Sequence, residues 1–444
     1  MTGAKNVKNR VEAWNVNKRQ NRINCANANP VHSEATFQEA LRATLIIGQI
    51  FSLIPVDRVS SKNTANVKFS WTSWKCFYLV LSLGGQVFMT AMCLNKLFDR
   101  DTSLKATTSV IFYTMTTVTM LMFFQIARNW PCLVQQIANT EQMDPNFDRN
   151  LTFKCNITCA IVLTLALTEH ILSLLSAFAG ALTCYPNMSL YEGFVKYFYP
   201  WVFNFLPYTV PLGILTQFFH FQSTFIWNFS DLFVINMSYY LTSRLQQINN
   251  KLLSVQGKYL PESFWRVTRE DYSRATQLVR RVDDVISGIV FISFANNLFF
   301  ICLQLFNTLE DGIQRTEACR RRLGRTGPLG GHEAETYFLF SLGYLIARSV
   351  AVSLIASQIN MAASVPAPVL YDVPSPVYCI EVQRFVDQVN GGSVALSGLQ
   401  FFNVTRGLLL SVAGTIVTYE LVMFQFNSSG NSNSTEVAAN ATIS

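Results

Sequence analysis

The chain has 444 residues, 50% of them hydrophobic and only 14% charged, with a formal net charge of +7. Soluble domains carry about 25% charged residues, so much of this chain avoids water on more than one face, and its apolar runs argue for one membrane bundle rather than several soluble domains. No basic patch interleaved with aromatics points to nucleic acid, and no apolar run near the start is followed by a cleavage site.

Residues 1–36 are polar and basic, with Lys5, Lys8, Arg10, Lys18, Arg19 and Arg22 against Glu12, and read as a flexible cytoplasmic tail. From Phe37 to Pro55, Leu41, Leu45, Ile46, Ile50 and Leu53 fall on helical spacing. Glu39 and Arg42 make this stretch too polar to span, and an interfacial helix is expected. Seven runs of spanning length follow, at about Trp74–Leu94, Ala106–Ala127, Asn156–Ala181, Val210–Tyr239, Val285–Thr308, Tyr337–Asn360 and Phe401–Phe426. The expected fold class is therefore an all-α membrane protein of seven transmembrane helices, its bundle occupying residues 37–426.

An odd number of spans puts the termini on opposite sides. The basic tail places the N-terminus in the cytoplasm. The sequons Asn427-Ser428-Ser429, Asn433-Ser434-Thr435 and Asn440-Ala441-Thr442 suit an extracellular C-terminal tail over 427–444, and Asn187-Met188-Ser189 suits an outer loop. The loop after the fifth span carries Arg315, Arg320, Arg321, Arg322 and Arg325 outside, against the charge rule. That rule concerns the balance over the whole chain, and single loops violate it. Gly and Pro over Thr326–Gly331 suggest mobility there. Cys184 and Cys319 fall in the two larger outer loops, where a disulfide is one option. Cys76, Cys93, Cys155, Cys159 and Cys302 read as small hydrophobes. No Cys-x-x-Cys pair or His/Cys cluster suggests a metal, and no cofactor is expected. The orientation is opposite to that of G-protein-coupled receptors. Asn-Pro-x-x-Tyr is absent from the seventh span and Asp-Arg-Tyr from the end of the third.

The cytoplasmic side is patterned rather than looped, over about 240–284 and 361–400. Leu241, Leu245, Ile248, Leu252 and Val255 repeat at four-three spacing, as do Leu278, Val282, Val285 and Ile289. Two helices should thus continue their spans below the bilayer along an apolar seam. Pro366, Pro368, Pro374 and Pro376 break the chain before a short amphipathic helix with Ile380, Val382, Phe385, Val386 and Val389. These helices form either a self-contained hairpin or a collar between subunits. Asp283-Asp284 with Arg280-Arg281 reads as structural.

A charged residue at a span's centre costs roughly 2.5–3.5 kcal/mol, so each intramembrane polar group needs a reason. The third span carries Glu169 and His170. The fourth has Trp227 and Asp231 on one face, the fifth has Asn296, Asn297 and Gln304, and the sixth has Tyr337, Ser341, Tyr344 and Arg348 on one stripe. They make either a ligand pocket or interhelical hydrogen bonds with Arg348 paired to Glu169 or Asp231. No nucleophile elbow, phosphate loop or histidine-nucleophile motif suggests an enzyme. In the last span Ser411, Thr415, Thr418, Val422 and Gln425 share one mostly polar stripe. It faces a hydrated axis shared by several copies, or glues the helix to its neighbours within one chain.

The run Thr418-Tyr419-Glu420-Leu421-Val422-Met423-Phe424-Gln425-Phe426 resembles the signature of the insect gustatory receptors, and Glu420 is similar to the sugar-sensing branch. So are Phe401-Phe402-Asn403-Val404-Thr405-Arg406, Val282-Asp283-Asp284-Val285-Ile286-Ser287-Gly288-Ile289, Ile292-Ser293-Phe294 and Phe300-Ile301-Cys302-Leu303-Gln304-Leu305. The resemblance covers the chain from about Phe37 onward.

It implies a ligand-gated non-selective cation channel in the plasma membrane of chemosensory neurons, surrounded by lipid. It also implies a homotetramer around the last helix, alone or with related receptor subunits, and a cytoplasmic collar holding it together. Sugar would bind in the outer half of the bundle through Glu169, His170, Trp227, Asp231, Asn297, Gln304 and Tyr344, because sugar hydroxyls need acceptors and donors and the C–H face stacks on aromatic rings. Thr418, Val422, Gln425 and Phe426 would line the pore, Phe426 as the apolar constriction and Gln425 as the group that hydrates the open state. Tyr419 would anchor the helix, and Glu420 would attract cations or bond a neighbouring helix. A metabotropic seven-span receptor requires the opposite topology. A secondary transporter requires inverted repeats and broken helices, neither of which is evident.

Overall fold

A computed structural model describes residues 36–61, 63–98, 104–144, 148–311 and 331–441. The basic tail, the arginine-rich segment with Arg315 to Arg325, and Cys319 lie outside them. Cys184 is disulfide-bonded.

The fold is all-α apart from two minimal hairpins. Two short helices, α1 (Thr36–Ala40) and α2 (Arg42–Ile50), lead into β1 (Val56–Asp57) and β2 (Lys68–Phe69). Then come α3 (Trp74–Phe98), α4 (Leu104–Met143), α5 (Leu151–Cys184), the short α6 (Leu190–Phe198) and α7 (Pro200–Phe203), and the long α8 (Val210–Leu253) and α9 (Glu262–Asp311). They are followed by α10 (Glu333–Ser364), α11 (Pro366–Tyr371), α12 (Ile380–Asn390), the hairpin β3 (Ser397–Gly398) and β4 (Phe402–Asn403), and α13 (Arg406–Ala441). Among the described residues, five helices are long and apolar enough to cross a membrane: α3, α4 from Thr107, α5, α9 and α10.

The helix α8 falls short on composition for a physical reason. From Asn228 to Leu245 every residue except Tyr239 is buried. Over this stretch it runs through the middle of the bundle with protein on all sides, so its polar residues there meet other side chains. Gly85 of α3 makes one of its approaches possible, since a Cβ there would sit 2.0 Å from the Phe219 ring.

The helices α8 and α9 both run on well past their apolar runs. With 44 and 50 residues, α8 and α9 are about 66 and 75 Å long at 1.5 Å per residue, more than twice the roughly 30 Å hydrocarbon core. Leu241, Leu245, Ile248 and Leu252 of α8 join Leu278, Val282 and Ile289 of α9 in the main core. The amphipathic α12 adds Val382, Phe385 and Val386 to it. Glu381 ties α12 to α9 through Arg269 Nε at 2.8 Å, and Arg384 Nη1 bonds its other oxygen at 2.6 Å. Hydrogen bonds from Arg269 and then Arg384 hold this carboxyl below its ordinary pKa.

Two expectations change. The stretch from Phe37 to Pro55 is not laid on the bundle's surface. Phe37, Leu41 and Leu45 are fully buried in the core, and Asn236 Nδ2 of α8 donates to Thr44 Oγ1 at 2.7 Å. Its apolar face finds a protein groove, which leaves only Ile46 and Ile50 outward. The last helix starts at Arg406 rather than near Phe401, because Leu399 and Gln400 take left-handed φ values of 48° and 64° and turn the chain back in a hairpin. It then continues past Phe426 to Ala441.

Candidate functional site

Four helical stripes converge in the upper half of the bundle, taken as the end nearer α6 and α7. Along α8 the residues His220, Thr224, Trp227 and Asp231 recur at four-three-four spacing. Along α10, Tyr337, Ser341, Tyr344 and Arg348 do the same, and α5 and α9 present Glu169–His170 and Asn297, Phe300, Gln304. Where they meet with α4 and the α6–α7 segment lies a cavity of about 370 Å³, near the lower end of the roughly 300–1,000 Å³ typical of small-molecule sites.

Of the residues expected to hold sugar, Glu169, His170, Trp227 and Gln304 line this cavity. Ser341 Oγ donates to Glu169 Oε1 at 2.6 Å and accepts from Gln304 Nε2 at 3.2 Å, so a carboxylate, a hydroxyl and an amide form one chain along the wall. The rings of Trp227 and Phe300 lie 4.6 Å apart, and Phe112 meets both. Tyr113 and His220, bonded at 3.0 Å between the phenol oxygen and Nδ1, complete another wall.

Several polar atoms are shielded from solvent yet lack a partner among the described residues: His170 Nδ1, Trp227 Nε1, Gln304 Oε1 and Trp201 Nε1. All four belong to cavity-lining residues. Buried polar groups are nearly always paired, and leaving one unmet costs about 1–3 kcal/mol. Donors and acceptors left open beside clustered aromatic rings suit a small ligand rich in hydroxyls. A second depression, of about 430 Å³ between α5 and α6, is lined by Leu174, Phe178, Phe194 and similar side chains, with Gln217 and Tyr191 as its polar members. That lining offers little to such a ligand.

Asp231, Asn297 and Tyr344 lie one layer deeper, around Arg348. The guanidinium pairs with Asp231, Nε to Oδ2 at 2.8 Å, donates to Asn297 Oδ1 at 3.3 Å, and also bonds Asn228 Oδ1. Tyr344 donates to Asn228 Oδ1 at 2.8 Å. Ser293 and Asn297 donate to the two Asp231 oxygens. Asp231 is fully buried and Arg348 is 5% exposed, so a full charge pair is enclosed; both Asp231 oxygens accept hydrogen bonds, while Arg348 Nε meets Asp231 as an ion contact without hydrogen-bond geometry. Of the two partners open to Arg348 in the sequence, the structure pairs it with Asp231.

Phe112, Tyr113, Trp201, His220 and Ser341 also line the cavity but were not among the expected sugar residues. Phe112 and Tyr113 sit in an apolar span with nothing to mark their direction. Trp201 lies in a loop helix, whereas the stripe through His220 and Trp227 offered a usable signal. Among the described residues no three His, Cys, Asp or Glu side chains gather as a metal site requires.

The last helix packs on one side only, with Ile416 against Phe300, Ile301 and Leu345. Ser411, Thr415, Thr418 and Val422 are exposed, so within one chain these four positions do not bind the helix to its neighbours. Thr415 and Thr418 return their hydroxyls to their own backbone at Ser411 and Gly414, each at 2.9 Å. Tyr419 is 40% exposed. Both Glu420 oxygens are shielded and, among the described residues, have no partner. Gln425 is exposed, and the Phe426 side chain lies outside the described residues.

Comparison with known proteins agrees with these features. A family model described as trehalose receptor matches residues 16–435. The gustatory receptor for sugar taste 64f of Drosophila melanogaster is 33% identical over 400 residues, covering 89% of this chain and 82% of that protein. Gustatory receptor 5a for trehalose of the same fly is 31% identical, covering 92% and 89%. In fold the chain is similar to the insect olfactory receptor OR5 from Machilis hrabei in complex with eugenol, with a TM-score of 0.58 at 14% identity, over 87% of this chain and 97% of that one. A multi-pass helical bundle, a cavity with open hydrogen-bonding groups and matches along nearly the whole length lead to one assignment: the chain belongs to the insect gustatory receptors, in the trehalose-receptor family of sugar-taste proteins.

Proposed function

We propose that this protein is a sugar receptor that is itself a ligand-gated, non-selective cation channel. The observation that carries the sugar assignment is the cavity in which the open groups of His170, Trp227, Gln304 and Trp201 lie beside a cluster of tilted and edge-on aromatic rings. A sugar meets the polar atoms with its hydroxyls and the rings with its C–H face. Glu169, a strong acceptor, already stands in the hydrogen-bonded chain with Ser341 and Gln304. Asp231, Asn297 and Tyr344 act from the layer beneath.

The channel assignment rests on the last helix. Alone, it exposes Leu410, Val417 and Leu421 together with the polar stripe, an arrangement suited neither to lipid nor to water on all sides. Four copies around an axis place the stripe with Thr418, Val422 and Gln425 on a hydrated path and the apolar flanks against neighbouring subunits. Phe426 narrows that path, Tyr419 anchors the helix, and Glu420 meets a cation or a neighbouring helix. The exposed Leu253, Tyr259, Val267, Tyr371 and Ile380 at the far end of α8 to α12 suit a collar between subunits, with related receptor chains able to take some of the positions. Seven spans, counting α8 and α13, set the N-terminus in the cytoplasm and the residues after 426 outside, in the plasma membrane of chemosensory neurons.

Sugar binds the open arrangement more tightly than the closed one, and this difference is all that opening can gain from the ligand. The test is recording from membranes that contain only this chain while mono- and disaccharides are applied. Prompt cation current is expected. Sugar responses that appear only with added G proteins, or sugar uptake without current, would overturn the channel.

A further inference from the structure

The helix α9 carries Phe300, Leu303 and Gln304 in the cavity wall. Seventeen residues earlier, about 26 Å along the axis, it carries Asp283, whose side chain is spent on one short hairpin. Ser397 donates to it twice, from its backbone nitrogen at 2.6 Å and its hydroxyl at 2.7 Å. Gln400 Nε2 adds a third bond at 3.2 Å. Leu399 N reaches Ser287 O on the same helix at 3.3 Å. Asp283 and Ser397 are 6% and 2% exposed, so water does not compete for these bonds.

The hairpin is an unusual one. Leu399 and Gln400, the central residues of a turn closed by Phe401 N to Gly398 O at 2.9 Å, both have left-handed φ. Such turns ordinarily use Asn and Gly, and non-glycine residues hold this conformation only when their surroundings impose it. Gly398 lies so close under the Phe402 ring that a Cβ would approach it to 2.3 Å. Phe402 in turn packs edge-on to Phe294 of α9. Three residues after the hairpin, α13 begins at Arg406.

We propose that Asp283 is a positioning residue for gating: it couples the foot of α9 to the root of the last helix, so that a shift of α9 driven at the ligand cavity reaches α13 through this clasp. The inference rests on the channel reading above. The upper contact, Ile416 against Phe300 and Ile301, is apolar and tolerates sliding. The clasp is directional, and the strained turn lets it hold only one geometry.

The experiment uses the full chain in membranes, with the most potent sugar from the panel. Direct binding of radiolabelled sugar, macroscopic current, and an environment-sensitive fluorophore on Phe401→Cys, a 75% exposed position, are read side by side. Asp283→Asn should leave the sugar Kd within about twofold while raising the half-activating concentration by about 5-fold or more, the lower range of allosteric coupling. It should also abolish the sugar-dependent fluorescence change. Ser397→Ala, which loses one bond of three, should give a smaller effect in the same direction. Leu399→Asn with Gln400→Gly keeps both Ser397 bonds and eases the turn. Asp283→Asn is read in that background if the single variant does not reach the membrane. Unaltered current and fluorescence responses in Asp283→Asn overturn the clasp, as does a loss of sugar binding that accounts for the whole shift. A fluorescence change in the parent protein that depends on Asp283 but comes without current would leave the clasp standing and remove the channel.

Discussion

The guanidinium of Arg348 lies 4.8 Å from the centroid of the Trp227 ring, and Trp227 is itself part of the cavity lining. A buried ion pair and a cavity-lining indole are thus one packed unit. Side chains in the lower layer fix the orientation of those in the upper one.

Substitutions in the upper layer should act chiefly on sugar sensitivity. Trp227→Ala removes a stacking face and an open N–H donor, and Glu169→Gln removes the carboxylate that accepts from Ser341. Each should raise the half-activating sugar concentration by about 10-fold or more, the effect of roughly 1.4 kcal/mol, with unitary conductance unchanged. Dose–response currents and single-channel recordings check this. Normal sensitivity at normal surface levels would return both residues to packing roles.

Substitutions in the lower layer should act on stability. Arg348→Met strands a fully buried Asp231 carboxylate, and breaking a buried pair costs about 3–5 kcal/mol in soluble proteins. A lower melting temperature in detergent and reduced surface expression are expected. Arg348→Met combined with Asp231→Leu should recover part of the loss, because no charge is left unpaired. A double variant no better than the singles would show that the hydrogen bonds to Asn228 and Asn297 matter more than the charges.

The gate prediction concerns the final helix. Phe426→Ala should widen an apolar constriction and give standing cation leak without sugar, while Gln425→Ala should change conductance or ion preference with sugar binding intact. Reduced assembly with normal currents from the remaining surface protein, and no leak, would take this helix off the conduction path.

Orientation can be tested by an epitope tag after Ser444, which antibody should reach on intact cells. Labelling only after permeabilisation would reverse the bundle and turn the cavity towards the cytoplasm.

Helix positions were largely legible in the sequence because apolar run length and four-three spacing are local signals. The directions of Trp227 and Gln304 followed from their helical spacing, and both line one cavity together with Glu169 and His170. Asp231 shares its stripe with Trp227, and Tyr344 shares one with the cavity-lining Tyr337 and Ser341, but depth along a helix depends on how neighbouring helices are staggered. The sequence therefore left their place between cavity and ion pair open. Tyr113 and Trp201 were invisible for the same reason: only tertiary packing turns them inward. The start of the last helix was misplaced because Phe401-Phe402 reads as a continuation of an apolar run. Nothing in Leu399-Gln400 signals a left-handed turn, since neither residue favours that conformation. The segment after Phe37 was expected at a lipid surface because a protein groove and a bilayer interface select the same amphipathic pattern.

The enclosure of α8 bears on how the chain is made. A segment with Asn228, Asp231, Asn236 and Arg244 on its faces is a poor candidate for entering a bilayer by its own hydrophobicity. During synthesis it emerges after α3, α4 and α5 but before α9 and α10, whose side chains include Asp231's partners Ser293, Asn297 and Arg348. On the seven-span reading, its membrane integration is expected to be a collective property of the bundle and to be completed late. Nascent chains halted near Leu253 should leave this helix accessible to protease or glycosylation on the lumenal side, and lengthening them past Ser364 should draw it into protection. Substitutions far from the ligand, on α9 or α10, could then abolish surface receptor through biogenesis alone, before any sugar is met.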